Sequence, residues 1–237
     1  MTRSLILETA STLLYSYEHL AVMHKEAERK AQGVPSMDAY VTTFPLIILN
    51  ASMIEGVLRW WLSALLHSAR VQRKIDRQTL DRSQPEISDR LIENYLVSME
   101  NNGGWERLKE PYSMLLDMSL DKSDPSGAIR CLFSLRNILA HGTSLVTPSD
   151  KSPNPKRSEY PFNWQARLQS AETYLSTINK EADILDLLEH WNVPEELLEQ
   201  TKAFLQDVFS QFLVKPNAAS QCYFDLQSFK FGHRNRA

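Results

Sequence analysis

The stretch 44–66, FPLIILNASMIEGVLRWWLSALL, constrains this chain more than any other. From Leu46 onward its apolar residues fall on nearly every side of a helix rather than along one stripe. Such a helix has to be wrapped by other apolar surfaces on several sides. Asn50, Glu55 and Arg59 interrupt the run, so it reads as a buried central helix and not as a membrane span. Buried polar groups need partners. Glu55 and Arg59 are one helical turn apart and can supply each other's.

The neighbouring segments carry helical patterning too. One long helix is expected over 4–32, stopped by Gly33 and Pro35, and the central helix over about 38–73, with Ser36 or Asp38 as its cap and Pro45 near its start. Residues 73–85 read as a charged turn. Short helices follow, from Ser88 to about 99 and from about 105 to 120. Asp124-Pro125 opens another that runs to His141 and stops at Gly142. Residues 147–161 contain several prolines and charges and read as an exposed loop. Helices resume over about 164–191 and 194–214. Glycine numbers only 7 in 237 residues, which also favours helix over short-stranded sheet. The expectation is therefore an all-α chain. A single domain spans 1–215, with its core over about 40–215, and a tail spans 216–237.

Charge and cysteine content narrow the function. The net charge of −3 and a pI near 6.1 disfavour a broad basic face for duplex nucleic acid, but leave room for a local phosphate-binding cleft. Cys131 and Cys222 are far apart and in no metal-ligand spacing, so a reducing cytoplasm is expected, with no metal, cofactor or membrane. The first residues carry no signal-peptide pattern. No Gly-rich phosphate loop, zinc cluster or nucleophile elbow is present in the sequence.

Chemistry concentrates in the segment 129–142, IRCLFSLRNILAHG. On a helical wheel Ile129, Leu132, Phe133, Leu135, Ile138, Leu139 and Ala140 cover most of the circumference. Arg130, Ser134, Asn137 and His141 share one narrow polar stripe. Arg136 falls outside that stripe, against an apolar arc, so its guanidinium must reach water, a carboxylate or a partner chain. His141 sits in the last turn, where the helix dipole favours the imidazolium, and a histidine can both take and give a proton. An arginine can grip a phosphate with two parallel hydrogen bonds. Together these residue types suit phosphodiester cleavage by an adjacent 2′-hydroxyl, with charge on the phosphorane-like transition state stabilised by arginine. One histidine does not easily serve as acid and base in the same step. Two facing copies in a symmetric dimer would supply two.

Arg136-Asn137-Ile138-Leu139-Ala140-His141 resembles the R-x(4–6)-H motif of HEPN domains, including the polar residue that follows the arginine, the apolar helix before the motif and the glycine after it. The resemblance implies a HEPN-like antiparallel helical bundle, here with additional N- and C-terminal helices. It implies a homodimer with both motifs in a shared cleft, and metal-independent cleavage of single-stranded RNA, as in many members that act as toxins or defence effectors. His141 would be the general acid/base, Arg136 the phosphate clamp and Asn137 the residue that orients them. Arg130, Ser134 and Glu55 are candidates for substrate binding. An antitoxin or regulatory protein would then be a natural partner.

Plainer readings stand beside these. Arg136 and His141 also fit a helix-capping role, with Arg136 paired to Glu55. Arg130 and Ser134 fit an ordinary exposed face. Cys131 reads as a core residue. His19 and His24 read as solvent-exposed. Trp60-Trp61 reads as core or a dimer surface, and the basic, aromatic end 230–236 as a disordered terminus. The functional alternative is a non-catalytic helical dimer that binds RNA, a nucleotide or a partner protein.

Overall fold

A computed structural model describes residues 8–79, 86–101, 104–141, 168–181, 183–216 and 220–233. The described residues form α-helices and no strand. In chain order these are α1 (Thr9–Lys30), α2 (Tyr40–Thr79), α3 (Ile87–Asn101), α4 (Trp105–Leu116), α5 (Ala128–Ala140), α6 (Leu168–Ile178), α7 (Ile184–Leu188), α8 (Val193–Gln211) and α9 (Gln221–Ser228). The all-α expectation holds. The expected loop at 147–161 and the stop at Gly142 lie outside the described residues, as does the start of the first helix.

α2 is the axis of the fold. Its many-sided apolar surface is covered by α1, α3, α4, α5, α8 and α9, and Leu46, Met53, Ile54, Val57, Leu58, Trp61 and Leu62 have no solvent-accessible surface. By length and composition this helix would be able to cross a membrane. However, 61% of its most apolar window is buried within the protein, as suits a core helix. Ser36 caps the short 3₁₀ turn that leads into it, its side chain accepting from the Asp38 N–H at 3.2 Å. Pro45 lies inside the second turn without ending the helix. α1 and α2 approach closely at Gly56, where an added Cβ would stand 2.8 Å from the Ala10 Cβ.

Several expected boundaries move. α2 runs through the charged segment as far as Thr79, because α3 folds back alongside it and pairs with its arginines. Arg70 meets Glu93 at 3.2 Å, Arg73 meets Glu86 at 2.9 Å and Asp89 at 3.3 Å, and Arg77 meets Asp89 at 3.3 Å. α5 starts at Ala128 rather than at Asp124-Pro125. Asp124 still caps it from a preceding turn, its carboxylate accepting from the N–H groups of Ile129 (3.2 Å) and Arg130 (3.1 Å). α4 ends at Leu116 with Asp117 in a left-handed conformation. The continuous helix expected over 164–191 is interrupted after Ile178, and Asp183 then caps the short α7, accepting from the Leu185 N–H at 2.8 Å.

Two readings are corrected outright. His24 is fully buried, not exposed: its Nδ1 lies 2.7 Å from Thr42 Oγ1 and its Nε2 lies 2.8 Å from the Trp191 carbonyl. The described residues 220–233 of the tail are also packed against the core. α9 is capped by Ser220 and by Glu8, which accepts from the Gln221 N–H at 2.8 Å. Tyr223 packs edge-on to Trp61, Phe229 against Tyr17, and Phe231 against Tyr17 and His24. Single-sequence patterning missed both features because they depend on rings brought together from distant parts of the chain.

Burial pushes the His24 pKa below the ordinary value of 6.5. The Trp191 carbonyl and the nearby Glu28 and Glu195 counteract that shift, while Lys25 adds to it. The unfolded chain therefore takes up this proton first as pH falls, and the native state loses stability from this source below about pH 6.5. Burial, with Asp183 adding, raises the Glu172 carboxyl to about 7 and acts in the opposite sense over the same range, so the His24 effect is read as a difference. The stability advantage of wild type over His24→Gln should shrink below that pH by up to about 1.4 kcal/mol per unit in urea titrations. A constant difference between pH 8 and 5 would refute it. For the α1–α2 contact, Gly56→Val should lower stability by about 1–3 kcal/mol without changing helix content. An unchanged denaturation midpoint would show that α1 can move aside.

Candidate functional site

The motif helix α5 is positioned by its apolar arc. Ile129, Cys131, Leu132, Phe133, Leu135 and Ile138 are buried against α2, α6 and α8, which leaves Arg130, Ser134, Asn137 and His141 on the remaining face. These residues follow one another at i+4, i+3 and i+4, so they form a row along the helix. The row lines one side of an open cleft of about 880 Å³. The N-terminal turns of α4 form the opposite side with Gly104, Trp105, Glu106, Arg107 and Lys109, and Ser170 of α6 also lines it. His141 is the C-terminal residue of the row. It is the cap position of α5 and is exposed.

Cationic side chains line both sides of the cleft. Arg130 is 59% exposed and only loosely tied to Asp124, at 3.6 Å. Lys109 meets Asp121 at 3.0 Å and Glu106 at 3.1 Å. Burial works against its charge, but these two carboxylates outweigh burial and raise its pKa above the usual lysine value. The Lys109 ammonium also lies 5.3 Å from the centre of the Trp105 ring, and Trp105 stacks on Phe133 at 4.6 Å with the planes 13° apart. This aromatic pair joins the two walls. Cys131 lies beneath the row, and burial, helped by Asp124, raises its thiol pKa, so it is a core residue and no nucleophile at neutral pH. Among the described residues no group of three or more His, Cys, Asp or Glu side chains is placed to hold a metal ion.

Glu55 and Arg136 lie behind this wall. The Glu55 carboxylate accepts from Arg59 Nη2 at 2.8 Å and from the Gly104 N–H at 2.8 Å through one oxygen. The other oxygen accepts from Arg136 Nη2 at 3.4 Å. Arg136 Nη1 in turn donates to Asn137 Oδ1 at 3.0 Å. One carboxylate on the central helix thus joins the start of α4, the motif arginine and, through it, the cleft residue Asn137. Four of the six candidate residues, Arg130, Ser134, Asn137 and His141, meet in the cleft. Arg136 and Glu55 are placed one layer back, in contact with that group. Both pairings open to Glu55 in the sequence, with Arg59 and with Arg136, occur together.

No protein-family profile, curated protein or solved structure matches this chain. Its function therefore has to be argued from the cleft. Sequence reading missed the α4 wall. Nothing local in the sequence shows that the residues from Gly104 onward face the motif helix.

Removing the Glu55 carboxylate would take an acceptor from two largely shielded arginines and from the Gly104 N–H. Glu55→Ala should cost about 2–3 kcal/mol of stability, and Glu55→Gln less, since an amide oxygen still accepts from Gly104. Equal midpoints for all three proteins in chemical denaturation would remove Glu55 from its place as the joint.

Proposed function

We propose that this chain is a HEPN-type endoribonuclease that acts as a homodimer and cleaves single-stranded RNA in the α4–α5 cleft. The observation that carries this reading is the row Arg130, Ser134, Asn137 and His141 facing Arg107 and Lys109 across one open cleft. A phosphodiester needs local positive charge, an exposed proton carrier and donors fixed before the substrate arrives. The cleft offers all three although the whole chain is acidic.

The chemistry follows from these groups. The 2′-hydroxyl of the nucleotide before the scissile bond attacks phosphorus, the P–O5′ bond breaks, and the products are a 2′,3′-cyclic phosphate and a 5′-hydroxyl. His141 takes the 2′ proton or delivers one to the departing 5′ oxygen. Its counterpart in a second copy performs the complementary transfer, so both proton movements balance within one dimer. Arg136 has two of its N–H groups committed to Glu55 and Asn137, and a guanidinium carries five. The fixed carboxylate behind it holds the guanidinium in one orientation, from which its charge, one layer behind the cleft, supports Asn137 and stabilises the phosphorane. Asn137 positions the substrate from the same wall. A toxin or defence effector held in check by a regulatory protein is the setting consistent with this activity.

One observation favours a second reading. Arg136 does not line the cleft and is already engaged by Glu55 and Asn137, as in an arginine that only supports the fold. On that reading the chain is a non-catalytic helical dimer that binds RNA, a nucleotide or a partner protein.

Incubation with total RNA in excess EDTA separates the two. Wild type should yield fragments ending in 2′,3′-cyclic phosphate, and His141→Ala should lower the rate by about 10²–10⁴-fold with an unchanged melting curve. Intact RNA with the folded wild-type dimer at high concentration would favour the binding module instead. Cleavage by His141→Ala at the wild-type rate would remove that residue from the mechanism.

A further inference from the structure

A second cationic groove lies at the far end of α2. Arg70, Arg73, Lys74 and Arg77 recur at i, i+3, i+4 and i+7 and therefore share one face of the helix. α3 packs antiparallel beside them, and its Arg90 joins the same surface. The resulting groove of about 410 Å³ is lined by Arg70, Lys74, Arg77 and Arg90 against the carboxylates of Asp89 and Glu93. Asp89 holds Arg73 and Arg77, and Glu93 holds Arg70. Among the described residues neither Lys74 nor Arg90 has a carboxylate within ion-pair distance, and both are exposed. The groove is thus net cationic in a chain of net charge −3. Its paired arginines are held in place while Lys74 and Arg90 face solvent.

The pairing register connects this groove to the cleft. Along α2 and α3, Arg77 pairs with Asp89, Arg70 pairs with Glu93, and Glu55 accepts from Gly104. α3 therefore runs from the groove to the edge of the cleft, and at 1.5 Å per residue the two lie about 15–25 Å apart. An extended strand of several nucleotides covers such a distance, and single-strand sites of about 4–16 nucleotides are common.

We propose that the α2–α3 groove is a second binding site for the sugar–phosphate backbone of single-stranded RNA, with Lys74 and Arg90 neutralising one phosphate each while the strand continues along α3 into the α4–α5 cleft. The assignment of RNA as the ligand rests on the reading of that cleft. No histidine lines the groove, its two carboxylates are engaged by arginines, and it contributes affinity only. It is open to solvent, and Ile92 is the one apolar side chain among the residues that line it. Recognition there is of charge and spacing, independent of sequence.

The test uses the full chain carrying His141→Ala, so that RNA survives the measurement, and a labelled single strand of about 20 nucleotides. Binding is followed by anisotropy across a salt series. Adding Lys74→Glu and Arg90→Glu should reduce the slope of log K against log salt by about 1.4, from about 0.7 for each phosphate contact on a single strand. The control Arg29→Glu with Lys30→Glu makes the same change in net charge on exposed α1 residues and should leave the slope unchanged. Circular dichroism confirms that each variant is folded. An unchanged slope in the Lys74/Arg90 variant, an equal loss in the Arg29/Lys30 control, no RNA binding by the parent, or equally tight binding of an acidic peptide of the same charge would each overturn the groove. Failure of the nuclease reading looks different. If wild type makes no cyclic-phosphate ends while the slope still falls in the Lys74/Arg90 variant, the groove stands and only the cleavage assignment is lost.

Discussion

Burial of α2 on all sides is the constraint from which the rest of this structure follows. The central part of α2, 42–66, has apolar side chains around most of its circumference and is stable in water only when several other helices cover it. α1, α5 and α8 do so along its central turns, and the aromatic residues that follow α8 complete the cover around Trp61. The same requirement explains why the end of the chain is part of the core. Phe229 and Phe231 fill the space beside Tyr17 that α1 and α2 leave open.

The candidate functional surface grows out of the exceptions to that burial. Glu55 is an acidic residue on an otherwise buried part of α2, and it is stable there because two guanidinium groups and a backbone N–H converge on it. Each of its partners leads elsewhere: Gly104 starts the α4 wall, and Arg136 belongs to the motif helix and touches Asn137. The carboxylate therefore sets the separation of the two cleft walls. Below it the Trp105–Phe133 stack makes the equivalent apolar connection. A cleft braced by one charged and one aromatic contact is preorganised, which electrostatic stabilisation of a developing charge requires.

Charge is distributed in a way that the overall composition hides. The chain is acidic, yet cations gather at the α4–α5 cleft and along the last turns of α2. At physiological ionic strength screening acts over about 8 Å, so a phosphate feels the cations immediately around it far more than the distant carboxylates. Under the proposed function, an acidic net charge would slow long-range encounter with RNA but leave these local sites effective.

The order of residues along the chain was enough to establish that the protein is helical, that the segment around 44–66 is its centre, and that Arg130, Ser134, Asn137 and His141 share a stripe. Each of these depends on periodicity, which a helix converts directly into a face. It was also enough to pair Glu55 with Arg59, one turn apart. It did not contain the α4 wall, the burial of His24 between Thr42 and Trp191, or the docking of Phe231. Those contacts join residues from remote parts of the chain, and no spacing rule connects them. The simultaneous bonding of Glu55 to Arg59, Gly104 and Arg136 was likewise settled by tertiary packing alone. The sequence allowed each pairing with an arginine separately, and only the position of α4 and α5 against α2 brought all three donors within reach of one carboxylate.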